Sequence, residues 1–212
     1  MILNFEPWQK RVLIGLLGLV ILALFALAFT AGRVAAAPQH PGTNSADAGF
    51  ARDMQVHHTQ AVEMSLLVRD RTDDDVVRAI AYDIATTQQH QVGQMYSWLE
   101  SWGLPQSTAA QRMQWMEGTD HHPGGGEDML TEEGLMPGMA TPEQMEELPT
   151  ASGEDAERLY LELMITHHTA GVDMAQAGVD LAEQQQVRRL AETMVTAQQS
   201  EIQAMQDLLD DL

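Results

Sequence analysis

The stretch Met54-Gln55-Val56-His57-His58-Thr59-Gln60-Ala61-Val62-Glu63-Met64 returns 110 residues later as Met164-Ile165-Thr166-His167-His168-Thr169-Ala170-Gly171-Val172-Asp173-Met174. The offset runs without a gap from residues 50–99 to residues 160–209, and fifteen of the fifty pairs are identical. Past the double histidine the matches include Val77/Val187, Arg78/Arg188, Ala81/Ala191, Gln88/Gln198, Gln89/Gln199 and Met95/Met205. A unit that recurs only twice reads as a duplicated bundle, not a solenoid.

Each copy reads as two helices. The first runs from about Asp47 to Arg69, with Phe50, Met54, Ala61, Val62 and Val68 on one face at helical spacing. The second starts after Thr72, with Asp75 three residues later, and ends at Gly103 and Pro105. In the second copy Ser152 and Asp155 mark the start, and Tyr160, Leu161, Met164, Val172 and Val179 form the face. The last helix carries Val187, Leu190, Met194, Ile202, Met205 and Leu209. Short turns make each copy an antiparallel hairpin.

Between the copies, Gly103 to Gly153 is broken by Gly124-Gly125-Gly126, Pro137-Gly138, Pro142 and Pro149. A connection this long can run the length of a bundle, about 40 Å for a 27-residue helix. That permits the ferritin-like topology with one long crossover. The crossover also holds Met113, Met116, His121, His122, Met129, Met136, Met139 and Met145. It reads either as a flexible acidic linker or as a mobile arm rich in thioether and imidazole.

Composition narrows the function. The 212 residues include no cysteine, which removes disulfides, thiolate metal sites and cysteine nucleophiles. With 11 basic and 31 acidic residues the net charge is −20, the wrong sign for a nucleic-acid binder. Aromatics make up 5%, thin for an all-β chain. The 14 methionines and 8 histidines carry the remaining signal. No nucleophile–base constellation, phosphate loop or cofactor fingerprint is present, so the sequence gives no positive sign of an enzyme.

The N-terminus is a targeting segment. Lys10 and Arg11 precede the uncharged apolar run Val12–Phe29, and Arg33 and Ala35-Ala36-Ala37 follow it. Eighteen apolar residues are long for a signal peptide and about the minimum for a membrane span. The segment therefore reads as an uncleaved anchor, with a cleaved signal and a secreted product as the alternative. In both cases Lys10 and Arg11 stay cytoplasmic and the rest is exported. Beyond Arg33 the chain has 8 basic and 30 acidic residues, a surface that concentrates cations.

Helical geometry then locates a candidate site. At about 100° per residue from Met54, His58 falls at about 40°, near the centre of the apolar face, and His57 at about −60°, on its edge beside Met64. Met54 and His58 are neighbours four apart, as are Met164 and His168. Glu63 and Asp173 fall on the far side, so a di-iron carboxylate site, which needs inward acids, is not indicated. Thioether favours Cu(I), and imidazole suits copper generally. Gln88 and Gln198 lie mid-helix on inner faces, where each could hold an imidazole N–H. The plain structural alternative is an inward His–Gln pair with no metal and methionine as core filler. His40 and His90 read as surface residues.

The paired Met-x-x-His-His-Thr motifs resemble the bacterial family called domain of unknown function 305. The spacer Met136-Pro137-Gly138-Met139-Ala140-Thr141-Pro142 and the tails Gln88-Gln89 to Met95 and Gln198-Gln199 to Met205 are similar too. The resemblance covers about residues 45–212. It implies a ferritin-like four-helix bundle, exported, in a family that includes copper-binding proteins.

The expectations are therefore these. The fold is all-α: a ferritin-like four-helix bundle from a duplicated helical hairpin, with an N-terminal transmembrane or signal helix. Residues 1–34 are signal or anchor, 35–46 a linker, and 47–212 the bundle, with units 47–102 and 152–211 and the crossover 103–151. The metal ligands are His57, His58, Met54, Met64, His167, His168, Met164 and Met174, with His121, His122, Met136 and Met139 as secondary candidates. The metal is copper, as Cu(I) or Cu(II), buffered or delivered outside the cytoplasmic membrane. The alternative is a metal-free envelope bundle that binds a protein partner or a second copy of itself.

Overall fold

The computed structural model describes residues 6–35, 40–117 and 129–212. The predicted candidates His121 and His122 lie outside them. The chain divides into two compact units, Met1–His40 and Pro41–Leu212.

Among the described residues the first unit holds one helix, α1 (Pro7–Ala35). Within its stretch Pro7–Thr30 an 18-residue window has a mean hydropathy of 3.0, and none of that window is buried. Twenty-four residues rise about 36 Å, enough to cross the hydrocarbon of a bilayer.

The second unit contains α2 (Ala46–Arg69), α3 (Asp75–Trp102), the short α4 (Pro142–Glu147), α5 (Glu154–Leu181) and α6 (Gln185–Asp211). No strand occurs among the described residues. α2 packs along α3, α5 along α6, and α2 against α5. The α2–α5 pair is antiparallel: Phe50 faces Gly178, His57 meets His167, and Ser65 bonds Tyr160 at 3.1 Å. This is the ferritin-like four-helix bundle built from two hairpins.

Local chemistry sets the helix ends. Ser45 caps α2 by accepting from the Ala48 N–H at 3.2 Å. α3 is capped by Asp74, which accepts from Val76 and Val77, and not by Thr72 as the sequence predicts. Thr72 is occupied elsewhere, donating to Glu157 and accepting from the Asp74 N–H. Ser152 does not cap either; Gly153, at φ 60°, precedes α5. Gly103, at φ 69°, ends α3 in the left-handed conformation that glycine adopts without strain.

Contacts at the hairpin turns recur at the 110-residue offset. Arg78 Nη1 donates to the Thr72 carbonyl, and Arg188 Nη1 donates to the Ala182 carbonyl. Asp47 accepts from the N–H groups of Glu183 and Gln184 at the turn of the other hairpin. Glu157, its counterpart, reaches back to Thr72.

Two apolar lobes fill the interior. One gathers Phe50, Met54, Met95, Met113, Met116, Met136, Met174 and Met194. The other gathers Met64, Val68, Ile84, Tyr160, Leu161, Met164 and Met205. The crossover is neither a free linker nor a free arm along its described length. Asp53 accepts from the Met113 N–H at 2.8 Å and from Trp115 Nε1 at 3.0 Å. The amide of Gln60 both donates to and accepts from the backbone of Ala140, at 2.9 and 2.7 Å. Met113, Met116 and Met136 are buried in the first lobe. Broken periodicity excluded a long helix there, but it says nothing about packing.

Candidate metal centre

Between the two lobes lies a layer of four histidines, all fully buried or nearly so: His57, His58, His167 and His168. The helices bring His57 and His167 together, with ring centroids 3.7 Å apart and planes tilted by 31°. His58 and His168 sit 6.5 and 6.2 Å from their sequence neighbours. The pair expected at the edge of the apolar face is thus the central pair. The edge is covered because the crossover runs over it. Gly138, at φ 74°, lies so close that a Cβ there would stand 2.6 Å from the Ala170 Cβ and 3.2 Å from the His167 Cα.

His58 and His168 turn toward the outer helices. His58 Nε2 is 2.7 Å from Gln91 Oε1. His168 Nε2 is 2.9 Å from Glu201 Oε2 and 3.5 Å from Gln88 Nε2. The expected partners were Gln88 and Gln198. Gln88 stands beside His168 at a weak distance, and Gln198 lies against Gly171, where an added Cβ would meet its Oε1 at 2.4 Å. The close partners, Gln91 and Glu201, are related by the same 110-residue offset. The relation is present in the sequence, but Gln against Glu is not an identical pair.

All four core methionines of the motifs are buried. Because α2 and α5 are antiparallel, Met54 shares a lobe with Met174, and Met64 shares one with Met164. Met54 and Met164 fall in different lobes. Of the secondary candidates, Met136 is buried and Met139 half-buried beside it. His40 and His90 are exposed.

Burial disfavours the charged form of three of these imidazoles. It pushes His57 down to about 3, helped by His168 and opposed by the Pro137 backbone. It pushes His58 to about 3, helped by His57 and opposed by Gln91. His167 lies well below the usual range through burial and its three histidine neighbours. Neutral imidazole has a lone pair to offer. Both ring nitrogens of His57 and the Nδ1 atoms of His58 and His168 are buried without a hydrogen-bond partner of good geometry. Each such orphan costs roughly 1–3 kcal/mol. A bound soft cation would take up lone pairs among them, so the residues fit a metal. Among the described residues, no three His, Asp or Glu side chains converge at metal-holding distance. A site of three or more protein ligands here would therefore have to draw on methionine sulfur.

The fold and this layer define a class: a ferritin-like bundle whose interior is lined by buried imidazole and thioether. The chain belongs to the DUF305 family, a domain of unknown function whose family model matches residues 47–209. It is similar to a DUF305 protein of Streptomyces coelicolor whose name carries the words "secreted protein". That likeness has 49% identity, covers 80% of this chain and 95% of the other, and has a TM-score of 0.71. A DUF305 fragment from Deinococcus radiodurans matches at 29% identity over 82% of this chain and all of its own, with a TM-score of 0.64. CopM in a Cu(II)-bound form shares the fold at 21% identity, over 79% of this chain and 97% of its own, with a TM-score of 0.59. No curated protein matches the chain.

Proposed function

We propose that the protein binds copper outside the cytoplasmic membrane, held there by α1, and buffers or delivers the ion. The observation that carries this reading is the layer of buried histidines with orphaned nitrogens between two methionine-rich lobes. Imidazole and thioether are uncharged donors, so they sit in a bundle core without the desolvation cost of carboxylates. Both match Cu(I) in softness, and imidazole also accepts Cu(II). His57, His58, His167 and His168 are the nitrogen donors of this reading, no more than two of them to one ion, with sulfur from Met54 and Met174 on one side or Met64 and Met164 on the other. Met136 and Met139, beside the layer, and His121 and His122, earlier in the crossover, would capture ions on the way in. CopM, whose fold this chain shares, has been crystallised with Cu(I), Cu(II) and silver. The N-terminal helix and the name of the Streptomyces relative support export.

The test is a Cu(I) titration of the full-length chain, purified in detergent without a histidine tag, against a chromogenic chelator. The double variant His58→Ala, His168→Ala should lose at least tenfold in affinity, and His121→Ala, His122→Ala much less. If the first variant stays folded and keeps its copper, the core site is wrong and the binding belongs to the crossover.

A further inference from the structure

The two outward-turned histidines have their tautomers fixed by their surroundings. Glu201 Oε2 can only accept, so at 2.9 Å the proton must sit on His168 Nε2. Gln91 presents Oε1 to His58 Nε2 at 2.7 Å, so there too Nε2 donates. The other nitrogen is then the one that can offer a lone pair to a cation. That nitrogen is Nδ1 in both rings, and both Nδ1 atoms are buried and unpartnered. The two hydrogen bonds span the same 33 residues in each hairpin, so the duplication carried the arrangement over and changed its chemistry. One copy kept an amide, and the other has a carboxylate.

We propose that Gln91 and Glu201 are positioning residues that lock His58 and His168 as Nε2–H tautomers, so that each offers Nδ1 to the metal, and that the Glu201 carboxylate makes His168 the stronger donor of the two. The donor role rests on the copper-binding reading above; the lock does not. A carboxylate behind an imidazole N–H raises the basicity of the opposite nitrogen and stabilises the positive charge shared by a bound cation, whereas an amide oxygen only orients the ring. Glu201 is placed to act this way because its side chain is 24% exposed, so it keeps contact with water while its Oε2 reaches the buried ring. The repeat thus yields two unequal halves of one layer: an oriented neutral donor at His58 and a charge-backed donor at His168.

Long-range proton–nitrogen NMR of the histidine rings in the metal-free, full-length protein reads the lock directly. His58 and His168 should both show a protonated Nε2, and Glu201→Leu should release His168 into a mixture of tautomers. Finding His168 Nε2 unprotonated in the wild type overturns the lock. Titration with Cu(I) and Ag(I) reads the donor role. Glu201→Gln, which keeps an acceptor and removes the charge, should weaken binding about 10–100-fold without moving the His168 tautomer. Gln91→Glu should strengthen it. Unchanged affinity in both variants overturns the unequal-donor assignment. A wild type that binds neither ion overturns the proposed function and the donor role with it, while the metal-free spectra still decide the lock.

Discussion

The two hairpins share a template but carry different loads. In the first, Gly49, Asp53 and Gln60 face the crossover: Gly49 leaves room for Trp115, Asp53 binds the backbone of Met113, and Gln60 binds that of Ala140. Their counterparts in the second hairpin are Leu159, Leu163 and Ala170, which offer no such hydrogen bonds. The second hairpin instead holds the carboxylate behind a histidine, where the first holds an amide. What stayed identical includes the arginines that close the turns and the histidines and methionines of the interior. What diverged shows which hairpin anchors the connection and which adjusts the site.

The largest effect expected from the interior is on acid stability. His57 and His58 are held at about 3, and His167 well below 6.5, whereas in the unfolded chain each titrates near its ordinary value of 6.5. Above about pH 6.5 both states are neutral and these groups contribute no pH dependence. As the pH falls from there toward 3, the unfolded chain takes up protons that the folded bundle refuses, so stability drops. Each histidine adds up to about 1.4 kcal/mol per pH unit. Urea unfolding of the metal-free protein between pH 7.5 and 4.5 should show this steep loss, and His58→Gln should remove about one proton from the slope. A flat profile would mean that the layer is open to water.

Asp53 tests the anchoring role at a smaller scale. Burial raises its carboxyl above the ordinary range, opposed by the Met113 backbone, Trp115 and Arg112. Its replacement by the leucine found at the equivalent position of the second hairpin leaves the Met113 N–H and Trp115 Nε1 without their acceptor. Unfolding free energy should fall by about 1–3 kcal/mol. Trp115 fluorescence should shift to the red as the crossover loosens at that point. An unchanged spectrum would show that Gln60 and the buried methionines hold the crossover alone.

Much of this architecture is legible in the sequence, and the reasons for the rest are specific. Gapless repetition and helical spacing carry the bundle, its hairpins and the inward histidines. The prominence of His57 is not visible from one helix, because the surface that covers its edge comes from residues 136–140, a stretch without periodicity. Pairing Met54 with Met174 requires the antiparallel direction of α2 and α5 to be followed through to the level of each residue. Gln60 lacks a polar counterpart in the repeat, so comparison of the copies gives it no weight.

The smallest effect separates two glycines of α5. Gly178 and Gly171 both lie in the helix interior, where alanine is intrinsically better by roughly 1 kcal/mol. At Gly178 a Cβ would stand 2.7 Å from the ring of Phe50, which is fully buried and cannot withdraw. Overpacking there costs about 1–3 kcal/mol, so Gly178→Ala should destabilise on balance. At Gly171 the nearest atom is Oε1 of Gln198, at the end of a flexible side chain and without a hydrogen-bond partner to lose. The equivalent position in the first hairpin is already alanine, Ala61, fully buried. Gly171→Ala should therefore change unfolding free energy by no more than about 0.5–1 kcal/mol, and in the stabilising direction. Loss of stability at Gly171 as large as at Gly178 would show that the Gln198 amide is fixed in place, and so belongs to the polar layer of the bundle alongside Gln91 and Glu201.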